Sequence, residues 1–219
     1  MRVFAIGDIH GCYDSFKKLL LDEIVIQPDD SIYLLGDYID RGKDSKGVIE
    51  FILTLLDSGY KVYTLRGNHE QMLLDGLNNE DSFYHWLENG GKETIASFGV
   101  DTLDKIEPKY IQFFKNTKLY IKTKDYIFVH AGLNFNKSNI YEDTEAMLWG
   151  RGFSNIQPVL GNKILIHGHT PIALHQILNQ QGNCINLDGG CVYKERPEQG
   201  YLVDFNLQSK QFISVKNCD

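Results

Sequence analysis

The sequence predicts an α/β fold built on a largely parallel sheet, with a second sheet in the C-terminal half. Within the first 70 residues, three short apolar runs are each followed by a polar loop and a stretch of helical periodicity. Repeated strand–loop–helix units favour βαβ crossovers and therefore parallel pairing. After residue 118 the apolar runs follow one another with no clear helical pattern between them, which predicts the second sheet.

In the N-terminal half, the predicted strands are the apolar runs at 3–6, 31–35 and 62–65. Apolar residues recur at helical spacing in two intervening segments, at 16–20 and 48–56. We expect Asp14 or Ser15 to cap the first of these helices and Gly59 to end the second. From residue 71 to about 117 the pattern is helical again, with a break at the glycine pair 90–91.

In the second half, the runs at 119–121 and 126–129 predict an antiparallel hairpin around a charged turn. A further strand is expected at 164–166. The last three runs predict a terminal antiparallel set, at 184–190, 201–205 and 211–215. No segment has the composition of a linker, so we expect one domain over residues 1–219.

Composition and charge exclude several classes of protein. The net charge of −7 argues against a general nucleic-acid grip, although a local phosphate pocket remains compatible with it. No apolar run reaches the ~18–20 residues of a membrane span, and the N-terminal run is too short for a signal peptide. The four cysteines are scattered without a CxxC pair, so we expect free thiols in a reducing compartment. We therefore expect a cytoplasmic protein without a membrane partner, and its oligomeric state stays open.

The ends of five apolar runs carry residues that could perform chemistry. Side chains two apart in an extended segment point the same way, so the carboxylate and imidazole after the first run can share a cation. In parallel sheets, ligands bind beyond the carboxyl ends of the strands. Any one cluster is consistent with turn or capping residues, but five such clusters in one chain favour a site. The candidate metal ligands are Asp8, His10, Asp37, Asn68, His130 and His169.

Other residues in these loops have different expected roles. Asp40 could orient a histidine, and Arg41 could hold an oxyanion. His69 is free for acid–base chemistry, because it is adjacent to a ligand and points elsewhere. Glu70 is expected to bond backbone groups or an arginine rather than a metal. His85, next to an apolar cluster in the helical region, is expected to be structural.

The donor set predicts a dinuclear metal site. Mixed carboxylate, imidazole and amide ligands suit Mn²⁺, Fe²⁺ or Zn²⁺ better than a thiolate-preferring ion or calcium. Six ligands are too many for one ion that keeps open positions, and they suit two ions that share a carboxylate. Two ions ~3.5–4 Å apart can clamp a phosphoryl group and generate hydroxide near neutral pH. Arg41 and Arg151 could then bind the remaining phosphate oxygens.

Five motifs, in order along the chain, resemble the signature of the phosphoprotein phosphatase family of metallophosphoesterases. They are GDIHG at 7–11, GDYIDRG at 36–42, GNHE at 67–70, HAG at 130–132 and GHTP at 168–171. The segments GNHEQMLLDGL and HWLENGG are especially similar to the bacteriophage lambda type within that family. The resemblance implies a four-layer α/β/β/α sandwich, in which two mixed β-sheets pack face to face with helices outside.

The resemblance also implies roles for the site residues. The residues that would hold the first ion are Asp8, His10 and Asp37. Those that would hold the second are Asp37, Asn68, His130 and His169. Phosphate would be held by Arg41, Arg151 and Asn68. His69, oriented by Asp40, would be the general acid. Mn²⁺ would be the first candidate for the two ions, with Fe²⁺, Zn²⁺, Ni²⁺ or Mg²⁺ as alternatives.

The implied activity is that of a metal-dependent serine/threonine or dual-specificity protein phosphatase, in which metal-activated hydroxide attacks phosphorus directly. Its partners would be phosphorylated proteins or peptides and small phosphate esters. One alternative in the same superfamily is a symmetrical diadenosine tetraphosphate hydrolase. Those enzymes tend to be longer and to lack the Asp-Arg-Gly and His-Glu pairings found at 40–42 and 69–70. A non-catalytic metal-binding interaction module would be expected to lack a ligand, the acid or the arginines, and none is missing.

Two details depart from the family pattern, and a third assignment depends on only a short part of that pattern. HAG at 130–132 stands where the eukaryotic members carry HGG, and alanine is small enough to be tolerated. His167 is an additional histidine that could ligate a metal, because wider metallophosphoesterases use both histidines of a GHxH loop. We expect His169 to be the ligand. The role of Arg151 rests on the resemblance of residues 149–151 to a short WxR motif.

Overall fold

The computed structural model describes residues 2–152 and 160–219. Its strands are β1 (Val3–Ile6), β2 (Ser31–Leu34), β3 (Lys61–Thr64), β4 (Tyr120–Lys122), β5 (Tyr126–Val129), β6 (Ile164–His167), β7 (Cys184–Asn186), β8 (Tyr201–Asn206) and β9 (Gln211–Lys216). Its α-helices are α1 (Tyr13–Lys18), α2 (Ser45–Asp57), α3 (Asn68–Gly76), α4 (Glu80–Trp86), α5 (Lys92–Phe98), α6 (Pro108–Asn116), α7 (Thr144–Trp149) and α8 (Leu174–Leu178). Two π-helical turns extend α1 and join α4 to α5, at Leu19–Glu23 and Leu87–Gly91. Among the described residues, no helix is long and apolar enough to cross a membrane.

The strands form two mixed sheets. The first has the order β3-β2-β1-β8-β9, in which β1, β2 and β3 are parallel and β8 and β9 are antiparallel additions. The second has the order β4-β5-β6-β7, in which β4 and β5 form an antiparallel hairpin and the other pairs are parallel. The parallel core, the hairpin and the second sheet predicted from the sequence are confirmed.

Two expectations for the C-terminal half are wrong. β7 does not join β8 and β9 in an antiparallel set, because it pairs in parallel with β6, while β8 returns to the first sheet beside β1. Helices also intervene, since α7 lies between β5 and β6 and α8 between β6 and β7. These helices have six and five residues, too few for a helical period to stand out. Alternation along a strand shows which faces are buried, but it does not name the partner strand.

The expected side-chain cap of α1 is not formed by Asp14 or Ser15, which both lie inside the helix. Their backbone amides donate instead to the Asp219 carboxylate, at 2.9 Å for Asp14 and 3.2 Å for Ser15. The acceptor comes from the other end of the chain, which a local pattern cannot reveal. Gly59 does follow the end of α2, with a φ of 83°.

Three buried apolar clusters define the four layers. The cluster between the first sheet and its helices includes Ile6, Leu34, Phe16 and Ile52. The cluster between the two sheets includes Ala5, Val203, Phe128 and Ile166. The cluster that covers the outer face of the second sheet includes Ile127, Leu165 and Met147. Helices therefore flank two sheets packed face to face, as the resemblance implied.

The register aligns the ends of the strands that carry the site motifs. In the first sheet, Ile6 lies beside Leu34 and Leu34 beside Thr64. In the second sheet, Phe128 lies beside Ile166. Because parallel strands point the same way, the loops after β1, β2 and β3 leave one edge of their sheet together, as do those after β5 and β6.

Asp204 of β8 is a buried carboxyl group outside those loops. The strand lies between β1 and β9, the side chain is fully buried, and neither of its oxygens has a hydrogen-bond partner in the described part of the chain. Burial raises the pKa of Asp204 well above its ordinary value of 3.8. The folded protein therefore holds a proton that the unfolded chain releases as pH rises.

We predict that the wild-type protein loses stability relative to an Asp204→Asn variant as the pH rises. A carboxyl group whose pKa is raised by folding contributes its full stabilisation below its unfolded pKa, and this contribution falls as the pH rises toward the folded value. The asparagine does not titrate. The free energy of unfolding of the wild type, measured with urea at about pH 4, 6 and 8, should therefore fall relative to that of the variant as the pH rises.

Asp30 provides a control of opposite sign. Burial acts to raise the pKa of Asp30, but hydrogen bonds from Arg2 outweigh it and lower that pKa. The free energy of unfolding of Asp30→Asn should therefore fall relative to that of the wild type as the pH rises. A pH-independent difference for Asp204→Asn would contradict a protonated Asp204.

Candidate active site

Main-chain hydrogen bonds tie the motif loops to one another. The amides of Ile9 and His10 donate to the carbonyl oxygen of Asp37, at 3.1 and 2.8 Å. In the second sheet, the amide of Gly168 donates to the carbonyl oxygen of His130 at 2.8 Å. The backbone therefore fixes the relative positions of the candidate ligands before their side chains are considered.

Asp37 lies at the centre of the site. Its Oδ2 is 3.5 Å from His10 Nε2 and 3.4 Å from His130 Nε2. Two groups of potential ligand atoms share Asp37, one completed by His10 and His69 and the other by His130 and His169. Within each group the atoms lie within 4.8 Å of one another. Asp37 thus occupies the position that a ligand shared by two ions requires.

Asp8 and Asn68 complete the set of predicted ligands. The two oxygens of the buried Asp8 carboxylate face the amide of His169, at 3.2 and 3.0 Å. Asn68 Oδ1 lies 2.9 Å from both His130 Nε2 and His169 Nδ1. Asp8 is also close enough to Asp37 for the two charges to interact. The structure therefore brings all six predicted ligands to one place.

Backbone carbonyls orient two of the imidazoles. His10 Nδ1 donates to the Ile39 carbonyl and His130 Nδ1 donates to the Leu35 carbonyl, each at 2.9 Å. Burial lowers the pKa of both histidines, so each ring is neutral and carries its lone pair on Nε2, toward Asp37. A neutral ring fixed in this tautomer is the form in which histidine binds a metal.

Buried carboxyl groups crowd the same space. Against burial, which raises it, the positive charge that the surrounding imidazoles carry when protonated lowers the pKa of Asp37. Burial and the charges of Asp188 and Asp37 raise the pKa of Asp8, and burial raises that of Asp188 to about 7. Burial lowers the pKa of His169 to about 3, and its buried Nε2 has no hydrogen-bond partner among the described residues. These residues fit divalent cations, which would offset the crowded carboxylates and use the neutral nitrogens.

His69 is held by a chain of buried hydrogen bonds. Its Nδ1 donates to Asp40 Oδ2 at 2.6 Å, and its Nε2 faces the site, 4.0 Å from Asp37 Oδ2. Asp40 also accepts from Trp86 Nε1 at 2.8 Å and from Thr94 Oγ1 at 2.7 Å. Although burial would lower it, the carboxylates of Asp37 and Asp40 raise the pKa of His69. A protonated imidazole that faces the site suits a general acid better than a metal ligand.

Sequence reasoning missed three residues of the site. Trp86 and Thr94 stand 46 and 54 positions from Asp40, so no local pattern links them to it. Asp188 carried a signal that could have been used, because it follows β7 in a polar, glycine-rich cluster like those after the other strands. It is buried, and it accepts a hydrogen bond from the Gly190 amide at 2.9 Å.

Glu70 binds backbone groups, as predicted. Its Oε2 accepts from the amides of Asp37 and Gly67, each at 2.9 Å, and its Oε1 accepts from the amide of Tyr38 at 2.8 Å. The side chain therefore connects the start of α3 to the loop that carries Asp37.

Left-handed backbone is concentrated at the site. The site residues other than glycine with positive φ are His10 (49°), Asp37 (50°), Asp40 (73°), Arg41 (68°) and His169 (70°). This conformation is uncommon outside glycine and costs of order 1–3 kcal/mol per residue. The tertiary hydrogen bonds described above hold it in place, and such strain typically marks functional sites.

The two candidate phosphate-binding arginines are associated with different ligand groups, Arg41 with that of His10 and Arg151 with that of His169. Arg41 is half-buried, and its Nη1 donates to His10 Nε2 at 2.7 Å. Arg151 is exposed, and its charge adds to burial in lowering the pKa of His169. The ring of Trp149, two residues earlier, lies 6.1 Å from that of His169. Arg41 is therefore near enough to the site for its predicted contact with phosphate, and the contact of Arg151 stays a prediction.

The histidines outside both ligand groups of the described residues are His85, His167 and His175. His167 donates from Nδ1 to the Gly168 carbonyl at 3.1 Å, and burial lowers its pKa to about 4. His85 is exposed on α4, where its carbonyl oxygen accepts from Asn89 at 2.8 Å. The preference for His169 over His167 as a ligand agrees with this geometry.

Comparison with known proteins extends these observations. The profile of the calcineurin-like phosphoesterase family matches residues 1–205. The chain is 26% identical to bis(5′-nucleosyl)-tetraphosphatase PrpE (asymmetrical) of Oceanobacillus iheyensis, in an alignment of 241 positions that covers 98% of this chain and 92% of that protein. Over 181 residues it is 30% identical to serine/threonine-protein phosphatase 2 of Salmonella typhimurium, covering 77% and 79%. The cold-active protein-tyrosine phosphatase of a psychrophilic Shewanella species has the same fold, with a TM-score of 0.70 at 19% identity over 97% of this chain and 77% of that one.

The fold and the ligand groups define a metallophosphoesterase. The chain belongs to the calcineurin-like phosphoesterase family and is a hydrolase of that family. The resemblance to phosphoprotein phosphatases is confirmed at this level, since the family matches and one relative is named a serine/threonine-protein phosphatase. Its bacteriophage lambda type stays a prediction, as does the identity of the metal.

We predict that Asp37→Asn greatly weakens metal retention, because the change removes the negative charge shared by both ligand groups. The measurement is the metal content per chain, by mass spectrometry after loading with Mn²⁺ and desalting. Asp30→Asn is the matched control, since Asp30 is equally buried but bonds Arg2 away from the site. Two ions per chain in Asp37→Asn would refute the shared-ligand assignment.

Thr94→Val should destabilise the protein by about 1–3 kcal/mol, because it leaves the buried Asp40 carboxylate without one of its donors. Thr94→Ser keeps the hydroxyl and should stay close to the wild type. Urea denaturation of the two variants measures the difference. Equal stabilities for valine and serine would show that this hydrogen bond contributes little.

Proposed function

We propose that this protein is a metal-dependent hydrolase of bis(5′-nucleosyl) tetraphosphates. The substrate class is supported by the overlap with the Oceanobacillus relative of that name, which extends over 98% of this chain and 92% of that protein. The reaction is supported by the two ligand groups that share Asp37. The motifs alone favoured a protein phosphatase. The relatives favour the tetraphosphatase over the protein phosphatase. The motifs cannot decide between these two activities, because the motif residues surround the reacting phosphate and do not distinguish what is attached to it.

Two bound divalent ions, with Mn²⁺ the first candidate, would polarise the phosphoryl group and activate a water molecule. The residues that would hold them are Asp8, His10, Asp37, Asn68, His130 and His169. Arg41, Arg151 and Asn68 bind the oxygens of the reacting phosphate, for which the planar guanidinium is well suited.

Protonation of the leaving group falls to His69. Its raised pKa keeps the ring charged near neutral pH, and Asp40 fixes Nδ1 so that the proton on Nε2 faces the site. The proton passes from Nε2 to the leaving oxygen as the phosphorus–oxygen bond breaks. Asp40 then stabilises the tautomer that regains a proton from water.

A second candidate substrate is a phosphoserine or phosphothreonine residue of a protein. The Salmonella relative favours it, with 30% identity over 77% of this chain. The buried His69–Asp40 pair favours it as well, because a serine alkoxide is a poorer leaving group than a nucleotide phosphate and depends more on an acid.

The test uses metal-stripped protein reloaded with Mn²⁺, Mg²⁺, Zn²⁺ or Ni²⁺, and compares diadenosine tetraphosphate with a phosphoserine peptide. We expect turnover of the tetraphosphate, with ATP and AMP as products of asymmetrical cleavage. Two molecules of ADP would indicate symmetrical cleavage instead. Hydrolysis of the peptide alone would replace the first candidate by the second, and no turnover by metal-loaded protein would leave a binding module.

We predict that His69→Asn lowers kcat by ~10²–10⁴-fold for a phosphoserine peptide and much less for p-nitrophenyl phosphate, whose phenolate leaves without help. Diadenosine tetraphosphate should lose about as little as p-nitrophenyl phosphate, because its leaving nucleotide phosphate also departs readily without a proton. His85→Asn, a change at an exposed histidine outside the site, is the control. Equal losses of kcat for all three substrates would remove the acid role from His69.

A further inference from the structure

A second arginine is connected to the site through an aromatic ring. Tyr193 lies in the loop between β7 and β8. The Cζ atom of Arg41 lies 5.7 Å from the centroid of the Tyr193 ring, and that of Arg196 lies 3.7 Å from it. Both distances are within the ~6 Å range of a cation–π interaction. One ring therefore contacts the arginine expected to hold the reacting phosphate and a second arginine as well.

The loop that carries this second arginine is well anchored. The amide of Tyr193 donates to the Gly190 carbonyl at 2.8 Å, and the amide of Arg196 donates to the Tyr193 carbonyl at 2.9 Å. At the base of the loop, the amide of Gly200 donates to the Gly190 carbonyl at 3.1 Å. Consecutive turns of this kind place the two side chains relative to each other.

Arg196 is available for a ligand. It is exposed, and it makes no ion pair with a carboxylate in the described part of the chain. Glu198 of the same loop is paired with His175 at 3.3 Å. Tyr193 itself lies beside the candidate phosphate-binding arginine, since its ring centroid is 5.7 Å from Arg41 Cζ. A guanidinium group thus lies one ring away from the phosphate site.

We propose that Arg196 binds a second phosphate group of the substrate, further along the polyphosphate chain than the one held by Arg41, with Tyr193 positioning the Arg196 guanidinium. Guanidinium groups bind phosphate oxygens through paired N–H donors. The two Cζ atoms are no further apart than the sum of their distances to the ring, a span that three or four linked phosphates can cover. Arg196 already packs on Tyr193, so this subsite suits a phosphate better than a stacked base.

The proposal rests on the proposed function for its natural ligand, because a polyphosphate can reach both arginines. A single phosphate ester occupies the Arg41 end alone. Arg196 would therefore determine specificity, since it recognises linked phosphates that the motif residues do not contact.

The test compares inorganic triphosphate with inorganic phosphate as competitive inhibitors of p-nitrophenyl phosphate hydrolysis, at a fixed concentration of free metal. Arg196→Ala should raise the inhibition constant for triphosphate ~10-fold more than that for phosphate, as expected for loss of a charge-assisted hydrogen bond. Calorimetric titration of triphosphate into the metal-loaded protein gives an independent measure of the same loss.

Matched variants separate the subsite from a general effect on the fold. Tyr193→Leu should reproduce the selective loss of triphosphate binding, Tyr193→Phe should retain binding, and Arg196→Lys should be intermediate because it keeps the charge without the planar group. Glu195→Ala, a change at the neighbouring exposed residue, should lose no triphosphate binding. Equal losses for phosphate and triphosphate, or no loss, would overturn the proposal.

The outcome also distinguishes the subsite from the proposed function. If the wild type does not cleave diadenosine tetraphosphate but Arg196→Ala still loses triphosphate selectively, the subsite stands and the proposed function falls. If the tetraphosphate is cleaved and Arg196→Ala has the same kcat/KM as the wild type for it, the function stands and the subsite falls.

Discussion

The site depends on the buried carboxylate of Glu70. It accepts three backbone amides, from Asp37, Tyr38 and Gly67, and so joins the loop after β2 to the start of α3. Each of those amides would otherwise be a buried donor without a partner, at a cost of about 1–3 kcal/mol. The position of Asp37, and with it the geometry of both ligand groups, follows from this contact. Glu70 is thus a structural residue within a functional motif.

The buried site combines several carboxyl groups with neutral imidazoles, and bound cations would balance the negative charge. Several carboxyl groups lie in a space from which solvent is excluded, while burial keeps the imidazoles of His10, His130 and His169 neutral. His69 is the exception, because Asp37 and Asp40 raise its pKa. Because all four rings are buried, the contact with Asp40 is what distinguishes His69, the proposed proton donor, from the candidate metal-binding histidines.

The relatives bear the names of two different activities. A tetraphosphatase and a protein phosphatase match this chain at 26% and 30% identity. Such divergence is possible because the residues around the reacting phosphate are independent of the groups attached to it. We propose that substrate choice depends on residues outside the motifs, such as Tyr193 and Arg196 in the loop between β7 and β8. That proposal would account for the different substrates favoured by the motifs and by the relatives.

The local sequence was sufficient to predict the parallel strands, the hairpin and the six candidate ligands. An apolar run followed by a polar cluster indicates the end of each of these strands. Alternation and periodicity act over a few residues, so they could not choose the partner of β7 or show that Asp219 would bond the amides of α1. Trp86 and Thr94 became part of the site only through tertiary packing, which brings α4 and α5 against Asp40. The ligand types are a property of the sequence, whereas their orientation and pKa values are decided by burial and by contacts between distant segments.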